Sequence, residues 1–162
     1  MLTPIRNFWY LMSPYTLYPF GLAQAVHDAI LHGNKLIEAG YEVFVPVAHS
    51  YPMEQAAGGS IPWSRWMDVD LAIVDHAFGG IRLELGSWGA SKGMAQEEAR
   101  FIELGRPVVP WKPWTDPPRA ALEQALAMWK VEAMEAAKLR QPAPSQTSKT
   151  HRPSRPKTPQ PL

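Results

Sequence analysis

Gly86, Ser91, Gly93, Glu97 and Glu98 fall within one short stretch, Gly86-Ser87-Trp88-Gly89-Ala90-Ser91-Lys92-Gly93-Met94-Ala95-Gln96-Glu97-Glu98. Small residues let a ligand approach the backbone. The first turn of a helix adds unpaired N–H groups and a partial positive charge that favours anions. A helix beginning here carries two carboxylates, Glu97 and Glu98, the side chains of nucleophilic and acid–base chemistry. A plain turn that needs Gly to bend and Ser to cap would use the same residues, so the surrounding elements must decide.

Those elements alternate. Phe8–Met12 is a short, aromatic-rich apolar run and predicts a buried strand, closed by the turn Ser13-Pro14-Tyr15-Thr16. Val26, Ile30, Leu36 and Ile37 recur at helical spacing between Leu22 and Ala39, with Gly40 placed to end the helix. His27 and His32 lie on it with no partner at metal-ligand spacing and are expected to face solvent. Tyr41–Val47 reads as a second strand, and strand, helix, strand implies a parallel sheet. Ligands of such sheets gather beyond the carboxyl ends of the strands. His49, Ser50 and Tyr51 are therefore pocket candidates, a polar turn being the alternative.

Met53–Ile61 reads as a flexible connection. Trp63–Ala77 suits a helix with Pro62 at its start, which puts Asp68 and Asp70 in mid-helix. Val69–Val74 could itself be a strand; helix is preferred because Gly79–Leu85 then supplies the strand before the opening stretch. Met94, Phe101, Ile102 and Leu104 carry the next helix to Gly105, and Pro107–Trp111 is a last strand. Pro117-Pro118 starts a helix ending near Arg140, in which Ala121, Leu122, Ala125, Leu126, Met128, Trp129 and Met134 are expected to pack down. The fold class is α/β, one doubly wound (Rossmann-like or flavodoxin-like) domain over residues 1–140. Residues 141–162, with Lys149, Arg152, Arg155, Lys157 and no acids, read as a disordered basic Pro-rich tail.

Composition narrows the function. At 162 residues with 46% hydrophobic content, one core and one domain are expected. A net charge of +1 argues for neither nucleic acid nor membrane as partner, and no apolar run is long enough to span a bilayer. The opening Met1–Asn7 lacks the pattern of a secretory signal. The absence of cysteine excludes a thiolate metal site or a Cys nucleophile and agrees with a reducing compartment, so a cytoplasmic location is expected. Trp63, Trp66, Trp88, Trp111 and Trp114 fall in or beside predicted loops, as pocket walls or as loop anchors.

The order of motifs is more specific. Ser13-Pro14-Tyr15, Pro46-Val47-Ala48-His49-Ser50-Tyr51-Pro52, Trp66-x-Asp68-x-Asp70 and Gly86-x-Trp88-x-x-Ser91-x-Gly93-x-x-x-Glu97 together resemble a family of small uncharacterised bacterial and phage proteins. That family looks like a branch of the nucleoside 2-deoxyribosyltransferase superfamily, which includes the 2′-deoxynucleoside 5′-monophosphate N-glycosidases. The resemblance covers Phe8 to Trp111.

It implies cleavage or exchange of an N-glycosidic bond, with a helix glutamate as nucleophile a fixed distance before a Gly-x-Pro-Val turn. Helical periodicity alone leaves Glu97 and Glu98 both open. Counting back from Gly105-Arg106-Pro107-Val108 selects Glu97, with Glu98 the fallback. Asp70 matches a second catalytic carboxylate, and Ser91 matches the serine that helps hold a 5′-phosphate, with Gly93 beside it. Ser13, Tyr15, His49, Ser50 and Trp88 would complete the substrate pocket.

The resemblance further implies no metal or other cofactor, a small nucleoside or nucleotide as ligand, and a homodimer or larger homo-oligomer. The alternative is a nucleotide-binding or sensing accessory protein without turnover. Three positions depart from the pattern: Phe78 stands where many relatives have Asp, Gly86-Ser87-Trp88 lengthens the loop, and Glu98-Ala99 replaces a Gly.

Overall fold

The computed structural model describes residues 8–139; the expected basic tail and the opening Met1–Asn7 lie outside them. Strands Trp9–Met12 (β1), Val43–Phe44 (β2), Gly79–Leu83 (β3) and Val108–Trp111 (β4) pair in parallel in the order β2-β1-β3-β4. Between and after them run helices Leu22–Glu38 (α1), Pro46–Ala57 (α2), Trp63–Val74 (α3), Lys92–Glu103 (α4) and Arg119–Leu139 (α5), with a short 3₁₀ turn at Trp88–Ala90. From β1 the chain moves to one side to make β2, and from β3 to the other side to make β4. Right-handed crossovers then put α1 and α4 on opposite faces. Packing agrees, since α1 lies with α2 and α3 with α4. The sheet is doubly wound, and its crevice opens where β1 and β3 end side by side.

β1 is buried along its whole length. Its alternation sends Tyr10 and Met12 to the α3/α4 face, into a cluster with Val74, Ala77, Met94 and Phe101. Leu11 turns to the other face, towards α1, where a Cβ on Gly33 would come within 3.9 Å of it. Gly79 is glycine for space: a Cβ there would sit 2.6 Å from the Pro107 carbonyl oxygen and 3.0 Å from the Trp9 ring. Backbone cannot yield as a side-chain tip can. Gly79→Ala is expected to cost about 1–3 kcal/mol, read as a lower midpoint in urea unfolding with an unchanged slope.

Three expectations are corrected. The second strand is only Val43–Phe44, because Pro46 begins a helix; His49, Ser50, Tyr51 and Met53 lie on α2 rather than in loops. Proline is preorganised for a first helical turn, and the Ser50 hydroxyl is taken up within the helix, donating to the Pro46 carbonyl at 3.1 Å. His32 does not face solvent but is fully buried, while His27 is exposed. Of the apolar residues on α5, Leu122 is buried, whereas Met128 and Met134 are exposed. The compact unit ends inside α5, at Ala127; residues 128–139 are the remaining turns of that helix, with Val131 and Leu139 also exposed. Among the described residues no helix is long and apolar enough to cross a membrane.

Candidate active site

The opening of α4 is built by local rules. Gly86 turns the chain after β3 with φ 37°, packed against Tyr18 and Pro19 of the β1–α1 loop. Ser91 then caps the helix by accepting the Met94 N–H at 3.3 Å. Gly93 lies next to α3: a Cβ there would stand 3.7 Å from the Met67 sulfur.

From that cap the helix runs back beneath the sheet and carries Glu97 into the core between Met94 and Phe101. Glu97 is 6% exposed, and Tyr10 Oη donates to its Oε1 at 2.6 Å. Asp70, half-buried on α3, acts electrostatically on both Glu97 and Tyr10. Burial pushes the Glu97 carboxyl up to about 8, against the Tyr10 hydrogen bond, which lowers it, and with help from the Asp70 charge. Burial also pushes Asp70 up to about 6. Tyr10 is raised in turn, first by burial and then by the two carboxylates.

Glu98, one position on, turns out of this cluster. Arg82 of β3 holds it at 2.7 Å and Glu84 at 3.0 Å, with its guanidinium 4.9 Å from the centre of the Trp88 ring. The fallback residue is therefore ion-paired, whereas among the described residues no cation pairs with Glu97 or Asp70.

The other pocket candidates divide. Ser13 directly follows β1 at the crevice, buried, with an unpartnered Oγ. Trp88 packs against the core cluster that holds Tyr10. Tyr15 donates to Glu54 on α2 at 2.7 Å and meets the Tyr51 ring edge-on. His49 is exposed, its ring 5.9 Å from that of Phe44. Ser50 spends its hydroxyl on its own helix. Neither His49 nor Ser50 is hydrogen-bonded to the carboxylates.

Sequence reasoning missed Tyr10, whose signal was a hydroxyl in an otherwise apolar buried strand, a group that must find a partner. It also passed over Trp66 as a donor and Ser87: their Nε1 and Oγ are buried without partners, Trp66 one turn before Asp70 and Ser87 just past β3. A separate solvent-open groove of about 570 Å³ runs between the outer surfaces of α3 and α4, lined by Asp68, Leu71, Ala72, Asp75, Ala99 and Arg100 among others. Its walls include neither Glu97 nor Asp70.

A family model described as "Domain of unknown function (DUF1937)" matches residues 7–113, well over half of the chain. The chain belongs to the DUF1937 family. No curated protein matches it. The DUF1937 span runs from the start of β1 to just past β4, so Tyr10, Asp70, Arg82, Ser91 and Glu97 all lie within it, while α5 lies beyond.

Proposed function

We propose that this DUF1937 protein cleaves or exchanges the N-glycosidic bond of a (deoxy)nucleoside or its 5′-monophosphate, with Glu97 as nucleophile and Asp70 as acid–base partner. One observation carries the reading: the buried Glu97 and Tyr10 hydroxyl sit within the field of the half-buried Asp70, and among the described residues no cation pairs with either carboxylate. Such a cluster is costly when empty. It is complementary to a ligand that becomes positive, as the anomeric carbon of a sugar does when its base departs. Tyr10 occupies Oε1 and leaves Oε2 to attack. The Oε2–C1′ bond forms as the C1′–N bond breaks, and the base leaves with a proton from Asp70, whose value of about 6 keeps a proton available near neutrality. Water or a second base then releases the sugar.

Ser91 and Gly93 at the start of α4 would take the phosphate, and Ser13 and Trp88 the sugar and base. The scheme uses no metal or redox cofactor. We place the protein in the cytoplasm and expect at least a homodimer, as in the superfamily it resembles. The rival, a nucleotide-binding module without turnover, draws on Glu97 itself, which at about 8 is mostly protonated at neutral pH. It predicts ligand binding with no released base.

The test is chromatography of a panel of nucleosides and 5′-monophosphates, with and without an acceptor base. Free or exchanged base is expected from at least one substrate; none from any, with binding retained, would favour the module. Ser91→Asp separates capping from phosphate binding. Aspartate caps as well as serine does, so stability should hold within about 0.5 kcal/mol, while its charge repels phosphate and raises KM for monophosphates about tenfold or more over nucleosides.

A further inference from the structure

On the opposite face of the sheet from Glu97, the turn after β4 is fastened to α1 through His32. The imidazole is fully buried, its ring centre 5.0 Å from that of Trp111 and 4.7 Å from that of Trp114. Nδ1 lies 2.7 Å from the Asp28 carbonyl oxygen, which can only accept, so Nδ1 carries hydrogen. The Trp114 backbone N–H donates to Nε2 at 3.1 Å, so Nε2 is bare. Only the neutral ring satisfies both bonds.

The residue held in this way is strained. Trp114, with φ 63°, is the one non-glycine residue with positive φ among the described residues. A bulky side chain keeps that conformation only where its surroundings impose it. The ends of the turn are tied internally, by Thr115 Oγ1 donating to the Lys112 carbonyl at 2.7 Å and Trp111 Nε1 donating to the Asp116 carbonyl at 2.9 Å. The link from Trp114 to α1 is the His32 acceptor.

We infer that Lys112–Asp116 is a strap released by a proton: neutral His32 holds it closed, and protonation of Nε2 sets a donor against the Trp114 N–H and lets it open. The charges acting on the ring are Asp28, which favours the proton, and Lys35, which opposes it, both on α1; from the turn it meets the two indoles and the Trp114 amide, with Lys112 and Asp116 beside them. Burial outweighs the rest and lowers the imidazole from its ordinary value. A group so lowered contributes stability that is present above its unfolded pKa and lost as pH falls through the folded one. The strap is closed near neutrality and opens on acidification, loosening the connection between β4 and α5. None of this depends on the role given to Glu97.

Hydrogen–deuterium exchange on the full chain, from about pH 8 to about pH 5, tests it. In the wild type the Trp114 amide should lose at least about tenfold protection relative to its intrinsic rate, with β1 and β3 still protected. Lys35→Gln removes the opposing charge and should move the midpoint to higher pH. His32→Leu removes the acceptor and should leave the amide unprotected throughout; if that variant does not fold, the wild type and Lys35→Gln decide. Constant protection in the wild type, an unmoved midpoint in Lys35→Gln, or simultaneous loss across β1 and β3 would each overturn the strap.

Discussion

Glu97→Gln is expected to abolish base release and to stabilise the fold at neutral pH. The amide cannot attack a sugar carbon, so activity should fall at least about a thousandfold, equivalent to about 4 kcal/mol of barrier. Its Oε1 can still accept from Tyr10, so the core keeps its hydrogen bond. The gain in stability comes from the buried charge. In the unfolded chain the carboxyl titrates near its ordinary value, about 4.3; folded, it is pushed up to about 8. Between those values the folded state holds more protons, so stability falls as pH rises. Glutamine escapes that penalty, which at pH 7 is at most about 4 kcal/mol. Thermal unfolding across pH should therefore show a wild type that loses stability above about pH 5 and a variant with a flatter profile. A variant both inactive and less stable than wild type would mean that Glu97 is a structural group.

The alternation of strand and helix was legible because apolar period and end signals act locally. Gly40 ends α1 with φ 92°, Ser91 caps α4, and the run Val69–Val74 is helical because Gly79–Leu83 is the strand that follows. α2 was not legible: Ser50, Tyr51 and Pro52 are poor helix formers, and its amphipathic pattern is weak. The helix is settled by Tyr15, Glu54 and the cluster of Val26, Ala29 and Val47, contacts made by distant parts of the chain.

Distance also explains the site. Periodicity could not choose between Glu97 and Glu98, because the choice depends on Tyr10 and Arg82 on two other strands, far apart in sequence. His32 looked like a surface residue for the same reason. Its acceptor bond comes from Trp114, in a turn whose strain no local pattern announces.

Tyr10→Phe tests whether the tyrosine tunes Glu97 rather than merely filling the core. The phenyl ring keeps its place near Phe101 and Phe44, centres 6.0 Å from each, and loses only the hydroxyl. That hydroxyl is what lowers Glu97, so without it the carboxyl titrates still higher. In the proposed reaction the competent state has Glu97 ionised and Asp70 protonated, against values of about 8 and about 6. Only about one molecule in a hundred is in that state, and it is constant between the two values, so kcat/KM should show a plateau bounded by limbs near them, which belong to the coupled pair. A Glu97 raised by about one unit moves the alkaline limb up by about one unit and lowers the plateau about tenfold. The acid limb, set by Asp70, stays where it is, and the two profiles converge above about pH 9. A uniform drop with both limbs unmoved would assign Tyr10 to packing alone and remove the hydrogen bond from the mechanism.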